Sequence, residues 1–180
     1  NFFTIYPPTG NFAAEGAIIY GVDPDTDLRM PFNRADYYVR GPAPQGCAPN
    51  TGRLYKATIN QAGGALNPES LLDCVADIQV VYRLDTNSDG LADSVVSDLS
   101  AAGLTTAQQI REHVKEVRVY ILSHEGQSDK AFTYGSNTIY VGDPDLGGGR
   151  TFAFSAIGTG WEHYRWKLSS LVAKPRNLSN

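Results

Sequence analysis

The stretch I-Q-V-V-Y-R-L-D-T-N-S-D-G-L-A-D, residues 78–93, determines how we interpret the fold of this chain. Apolar or aromatic side chains occupy every second position from Ile78 to Leu84, and this period of two is typical of a β-strand. The residues after Leu84 are rich in Asp, Asn, Ser and Gly, which favour turns. The stretch therefore predicts a strand that ends in a tight loop carrying many side-chain oxygens.

The loop has the residue spacing of a calcium-binding loop. Asp85, Asn87 and Asp89 stand at alternate positions, Gly90 follows directly, and Asp93 comes three residues later. The same residue types occupy the corresponding positions of an EF-hand loop. Alternate side chains of a tight loop can converge on one Ca²⁺, and the glycine permits the sharp reversal of the backbone. We predict one bound Ca²⁺, with an affinity on the order of 10⁻⁵ to 10⁻³ M, held by Asp85, Asn87, Asp89, the Leu91 carbonyl and Asp93.

Two features separate this loop from an EF-hand. The twelfth position, where a bidentate Glu is expected, holds Val96, so a further ligand would have to come from Asp98 or from water. A strand rather than a helix precedes the loop, and a calcium sensor needs a pair of helices that can open. The predicted ion would therefore stiffen the loop and not act as a switch. The alternative is an Asx-rich turn that binds no metal.

Length and composition narrow the class of protein. The chain has 180 residues, which suits a single domain spanning residues 1–180. Its 18 Gly, 10 Pro and 10 Tyr favour a protein rich in strands and loops. The net charge is −4 and no basic stripe is present, so nucleic acid is not a predicted partner. No apolar run approaches the ~18 residues of a membrane helix, and the start at Asn1 without Met leads us to expect a preceding segment.

The two cysteines, Cys47 and Cys74, suggest a disulfide more than a metal site. They lack the short Cys-x-x-Cys spacing of zinc ligands, and the three histidines lie far from both in the sequence. A disulfide suits an exported protein, and calcium loops of this kind work best where Ca²⁺ is plentiful. We therefore predict a Cys47–Cys74 disulfide; two unrelated buried thiols are the alternative.

The remaining patterns indicate an α+β fold with mostly antiparallel β-sheets and short helices. Asn67 and Pro68 are the residue types of an N-cap and a first helical position, and they predict a helix. Thr105 and Gln108 have the spacing of a capping box and predict a second helix that ends near Val114. Strands are predicted over residues 17–20, 54–59, 78–84, 117–122, 151–157 and 164–172.

A long irregular segment is predicted between the first two strands. Its first part, residues 23–27, repeats the alternate-acid spacing, but Leu28 stands where the glycine would be, so we interpret it as a solvated turn. Its second part contains Pro42, Pro44 and Pro49 and predicts a long surface loop, of a kind often used for function.

No catalytic constellation is recognisable in the sequence. It has neither a Gly-x-Ser-x-Gly elbow nor a phosphate-binding glycine loop followed by Lys. His113, His124 and His163 lack the His-Glu-x-x-His spacing of metalloproteases, and we interpret each as structural. The glycines at 147–149 follow an Asp-Pro-Asp sequence and predict a hairpin loop. The chain is therefore not predicted to be an enzyme.

Three blocks of the sequence resemble the PilW family of type IV pilus minor pilins. The first is L-L-D-C-V-A-D-I-Q-V, residues 71–80, followed by Tyr82 and the D-T-N-S-D-G-L-A-D loop. The second is V-K-E-V-R-V-Y-I-L, residues 114–122. The third comprises Y-R-W, residues 164–166, and K-P-R-N, residues 174–177. The blocks occur in the order that the family shows.

This resemblance implies a pilin-like architecture, with a long apolar N-terminal helix and a globular head of antiparallel strands. It implies a structural subunit that helps to initiate or cap a type IV pilus, with other minor pilins and the major pilin as partners. Such a subunit would be anchored in the inner membrane by the helix, with its head in the periplasm, and would reach the cell surface within the pilus. The J-type minor pseudopilins of type II secretion share this head fold and are an alternative.

A secreted binding module is the second alternative. Trp161 and Trp166, with the tyrosines, could supply a stacking surface for a Ca²⁺-dependent adhesin or a carbohydrate-binding domain. Packing within the β-sheet core is the interpretation that we favour for these side chains. The residues encoded upstream of Asn1 would separate the two functions, because a pilin carries a short basic leader and an apolar helix, whereas an adhesin carries a conventional signal peptide.

Overall fold

The computed structural model describes residues 35–59 and 66–174. Short 3-10 helices cover Phe154–Ala156 and Trp161–His163. The strands and the α-helix, in chain order, are β1 (Ala35–Arg40), β2 (Gly52–Ile59), β3 (Leu66–Leu84), β4 (Ser94–Val96), α1 (Ala107–His113), β5 (Val114–Glu125), β6 (Thr138–Gly142), β7 (Gly149–Ala153) and β8 (Arg165–Ala173).

β3 is the central strand of a sheet with the strand order β1-β2-β3-β5-β8. Residues 66–75 of β3 pair with β2, residues 75–84 pair with β5, and β4 pairs with the last three residues of β3. β-branched and aromatic side chains recur along the β3–β5 half, and they fit the pleated surface of a sheet. Every strand pair is antiparallel, so the predicted fold class is confirmed, with one short α-helix in the described residues.

The helix predicted from Asn67 is wrong, because these residues form the first half of β3. Pro68 lies opposite Ala57 of β2, and among the described residues β2 is the only strand beside β3 at this level. Proline is tolerated in such an edge position. Pairing with β2 therefore outweighs the local helix signals, which are a weak preference that tertiary contacts override.

The predicted second helix is confirmed as α1, but its capping box lies one residue later than predicted. The Gln109 N–H donates to Thr106 Oγ1 (3.2 Å), and the Thr106 N–H donates to Gln109 Oε1 (3.0 Å). Gln108, the predicted partner, instead donates to Glu112 Oε1 (2.8 Å). In the part of the chain that the structure describes, no helix has the length and apolarity needed to cross a membrane.

Two other predictions differ from the structure in extent. β1 lies inside the segment predicted to be irregular, and the predicted Pro-rich loop is shorter, joining β1 to β2. The strand predicted over residues 151–157 ends at Ala153, where a 3-10 helix begins. The predicted strand at 17–20 and the acidic turn at 23–27 lie outside the described residues.

The hydrophobic core lies between one face of the sheet and the β6–β7 hairpin. Trp166 is buried there, and Trp161 stacks on Phe154 with ring centroids 4.9 Å apart, so the predicted core packing of both tryptophans is confirmed. The predicted glycine loop closes the hairpin, and a Cβ on Gly142 or Gly149 would collide with the backbone of the other. The core cluster consists of Ala48, Val81, Tyr120, Leu122, Val141, Phe154, Ile157 and Trp166.

Candidate functional site

The predicted calcium loop connects β3 to β4 as the turn of a hairpin. Leu84 lies opposite Ser94, and the Asp93 N–H donates to the Leu84 carbonyl (2.9 Å). Gly90 has a φ of 86°, in the left-handed region that glycine adopts without strain. Val96, which stands at the position of the missing Glu, lies within β4, so strand pairing holds it away from the loop.

Asp85 is the buried residue of this loop, with 1% of its surface exposed. Its N–H donates to the His113 carbonyl (2.8 Å), and its own carbonyl lies 2.8 Å from His113 Nδ1, so the loop is anchored to the end of α1. Its carboxylate points across the loop, where Oδ2 accepts a hydrogen bond from the Gly90 N–H (2.8 Å). The other oxygen, Oδ1, is buried and has no hydrogen-bond partner among the described residues.

Lys115 is the charged neighbour of this carboxylate. Its Nζ lies 3.5 Å from Asp85 Oδ2. Burial acts to raise the pKa of Asp85, but hydrogen bonds from the N–H groups of Gly90 and Ser88 and the charge of Lys115 together bring that pKa below its usual value. Asp85 is therefore ionised at neutral pH, with one buried oxygen that no donor satisfies, and such an oxygen favours a cation beside it.

The other predicted ligands are exposed and form turns within the loop. Asn87 Oδ1 accepts a hydrogen bond from the Asp89 N–H (3.0 Å), and Asp89 Oδ1 accepts one from the Leu91 N–H (2.8 Å). The Asp93 carboxylate accepts from both the N–H and the hydroxyl of Thr86, at 3.1 and 2.9 Å to Oδ1. These side-chain oxygens thus shape the loop by satisfying its own backbone donors.

The structure places the predicted ligands in one loop without bringing their oxygens to one point. Asp85, Asp89 and Asp93 do not bring one oxygen each within 4.8 Å of one another. Asp98, considered as an additional ligand, accepts from the Ser100 N–H (2.8 Å) and so shapes the next turn. Binding of an ion would require the exposed oxygens to exchange their turn hydrogen bonds for contacts with a metal beside Asp85 Oδ1.

A disulfide joins Cys47, in the β1–β2 loop, to Cys74 within β3, with the two Cα atoms 5.1 Å apart. His124 lies beside it, and its Nε2 accepts a hydrogen bond from the Ala48 N–H (2.9 Å). One possible ligand atom of Cys47, Cys74 and His124 each lies within 4.8 Å of the others. Sulfurs bonded to each other lack the thiolate that metals bind. Burial lowers the pKa of His124 and keeps its ring neutral, so this cluster is structural.

An ion pair joins the β6–β7 hairpin to the main sheet. Arg83 on β3 donates from Nε to Asp143 Oδ2 (2.6 Å) and from Nη2 to Asp143 Oδ1 (2.9 Å). Asp143 is fully buried, and its hydrogen bonds to Arg83 lower its pKa to about 2 against the opposing effect of burial. Arg118 and Asp145 extend the cluster at its rim, with Arg118 Nη1 3.7 Å from Asp143 Oδ2 and Arg83 Nη2 2.9 Å from Asp145 Oδ2.

Comparison with known protein families gives one match across this architecture. The model of the family described as Type IV Pilus-assembly protein W (PilW) matches residues 36–177, which run from β1 through β8 and contain the loop, the disulfide and the ion pair. The chain belongs to the PilW family. The resemblance seen in the sequence is confirmed, and the family's role is type IV pilus assembly. No curated protein and no solved structure matches the chain.

The histidines of this PilW-family head make structural contacts. His113 anchors Asp85, His124 packs beside the disulfide, and His163 Nδ1 lies 2.9 Å from the Phe132 carbonyl. Sequence reasoning missed Lys115 and His113 as neighbours of the loop. They lie far from Asp85 in sequence, and only the register between β3 and β5 brings them there.

Proposed function

We propose that this chain is the globular head of a minor pilin that helps to initiate or cap a type IV pilus. The observation that carries the proposal is the PilW-family match across all the strands of the head. An antiparallel sheet with a disulfide and a buried ion pair suits a subunit that stays folded outside the cytoplasm. The head acts by contact with other subunits and not by catalysis.

The partners of this head are other minor pilins and the major pilin. An apolar helix on the N-terminal side of the head anchors the protein in the inner membrane before assembly, with the head in the periplasm. The same helix packs in the core of the fibre after assembly, and the head then reaches the cell surface. The β1–β3 part of the sheet carries exposed apolar side chains that neighbouring pilin heads would cover: Tyr37, Leu66, Leu71 and Leu72.

Two other functions receive less support. A J-type pseudopilin would serve type II secretion, whereas the matching family is one of pilus assembly. The stacking surface predicted for an adhesin or carbohydrate-binding module would need the rings of the two tryptophans to be open to solvent. Trp166 is buried and Trp161 is stacked on Phe154, so the tryptophans serve the core instead.

Deletion of the gene tests the proposed role. We expect surface pili to become rare or absent while the major pilin remains in the inner membrane, because assembly would fail to start. Complementation with the intact gene should restore pili, and complementation with the anchor helix alone should not. Normal piliation in the deletion strain would overturn the proposal, and hydrolase activity of the purified head would point to an enzyme instead.

We also propose that the β3–β4 loop binds one structural Ca²⁺, which stiffens the head. The supporting observation is the buried, ionised Asp85 carboxylate with its unsatisfied Oδ1, at the start of a loop whose glycine already adopts the turn that such loops need. Unsatisfied buried polar atoms are rare in native proteins. The proposed ligands are Asp85, Asn87, Asp89, the Leu91 carbonyl and Asp93.

Calorimetry and thermal unfolding of the purified head test this site. An ion that binds only the folded state should stabilise it by about 2.7 kcal/mol at a free concentration ~100 times Kd. Asp89→Ala should abolish both the heat of binding and the rise in Tm. Asp73→Ala is the matched control, because it removes an exposed carboxylate that pairs with Arg53 outside the loop. No heat and no rise in Tm at millimolar Ca²⁺ would contradict the proposal.

A further inference from the structure

Lys115 reaches the loop because it is the extra residue of a β-bulge. Leu84 pairs with Val114, and the preceding residue, Arg83, pairs with Glu116, so Lys115 has no partner on β3. Bulges re-aim a side chain out of the regular alternation of a strand. The bulge lies where β3 passes into the loop, and it directs the lysine toward Asp85.

The ammonium group of Lys115 stands on one side of the Asp85 carboxylate. Nζ lies 3.5 Å from Oδ2, the oxygen that also accepts the Gly90 N–H, whereas Oδ1 has no hydrogen-bond partner among the described residues. The lysine side chain is 23% exposed, so its long stem has a route to solvent. Lys115 therefore supplies a positive charge close to the Asp85 carboxylate, and this charge can move away into solvent.

We propose that Lys115 is a built-in competitor for Ca²⁺: its ammonium neutralises Asp85 in the calcium-free loop, and an entering Ca²⁺ displaces it toward solvent. This inference rests on the proposed Ca²⁺ site. The two cations repel each other strongly at such separations, and an ion coordinated by Asp85 cannot share that carboxylate with an adjacent ammonium at low cost. In the calcium-free loop, the lysine thus neutralises the charge of the buried Asp85 carboxylate. It also lowers the affinity of the loop for Ca²⁺.

Removing the charge should have opposite effects on the two states of the loop. Without calcium, Lys115→Met leaves a buried carboxylate without its counter-charge, so the variant should have a lower Tm than the wild type. With calcium, the repulsion is gone, so Ca²⁺ should bind at least about tenfold more tightly. Lys115→Gln removes the same charge but keeps a hydrogen-bond donor for Asp85. It replaces Lys115→Met in the experiment if the Met variant does not fold.

The experiment is Ca²⁺ titration by calorimetry, with Tm measured in chelator and in excess Ca²⁺. Lys115→Arg keeps the charge and should bind Ca²⁺ as weakly as the wild type. Lys167→Met is the matched control, because it removes an exposed lysine that pairs with Glu125 across β5 and β8 (3.3 Å). Its Kd for Ca²⁺ should equal that of the wild type.

Two results would overturn the inference in distinguishable ways. If the wild type, Lys115→Met and Lys115→Gln bind Ca²⁺ with the same Kd, the lysine does not compete and the Ca²⁺ site itself stands. If none of the three binds Ca²⁺, both the site and its competitor are refuted. Tighter binding by the charge-removing variants alone, with a lower Tm in chelator, supports the inference.

Discussion

Arg83 and Asp143 form a charged contact that joins the β6–β7 hairpin to the main sheet. Asp143 is fully buried, and Arg83 supplies two hydrogen bonds to it. Arg83→Met should lower the free energy of unfolding by about 3 kcal/mol, because the buried carboxylate keeps the Asp145 N–H as a donor (3.0 Å) but has only the more distant Arg118 as a counter-charge. Urea unfolding at neutral pH measures this loss. Arg53→Met, which breaks an exposed pair, should cost less than about 1 kcal/mol.

The effect of Arg83→Met should depend on pH. The folded-state pKa of Asp143 is about 2, below the unfolded value of about 3.9. The stabilisation that this depressed pKa provides is fully present when the pH is above the unfolded-state pKa. It is lost as the pH falls toward the folded-state pKa. The difference between wild type and variant should therefore shrink from pH 5 toward pH 2. A difference that stays constant over this range would show that the ion pair is not its source.

The residues of the β3–β4 loop show what the spacing of residues along the sequence can predict. The positions of Asp85, Gly90 and Asp93 along the chain were sufficient to predict a tight, oxygen-rich loop, because turn geometry depends on near neighbours. The same spacing says nothing about Lys115, whose approach depends on a bulge in β5, a strand that is distant in the sequence but pairs with β3. It also could not show that Asp89 and Asp93 would bond to the loop's own donors.

The disulfide ties the β1–β2 loop to β3 and closes a segment with a sequence separation of 27 residues. In the chain-entropy model, a loop of this length contributes about 3–4 kcal/mol by restricting the unfolded chain. The double variant Cys47→Ala/Cys74→Ala should lose about that much free energy of unfolding. Urea unfolding of the wild type and the double variant, both made in the periplasm, measures this loss. The intact mass of the wild type without reductant tests the disulfide itself, and two free thiols in that protein would refute it.

The helices and strands that could be predicted are those whose local sequence pattern agrees with their final structure. Those that depend on pairing with another strand could not be predicted. The second half of β3 was predicted from its alternation, and α1 from its capping residues to within one position. β5 and β8 were predicted as strands with bounds that differ by a few residues. The helix predicted from Asn67 failed because pairing with β2 overrides its capping signals. β1 was missed because a short strand flanked by proline-rich sequence carries little periodic signal.

Across the described residues, the β3–β4 loop lies at one end of β3, the central strand of the main sheet. The loop and the disulfide, which the sequence predicts, and the ion pair, which only the structure shows, all attach to β3. The family match places the chain in type IV pilus assembly.

Mass spectrometry of pili sheared from cells tests this assignment most directly. We expect the protein to be present in purified pili at far fewer copies than the major pilin, and to be absent from the same fraction of a strain that lacks the major pilin. Detection of the head only as free protein in the culture medium, with none in the pili of a normally piliated strain, would show that the protein is not a pilus subunit.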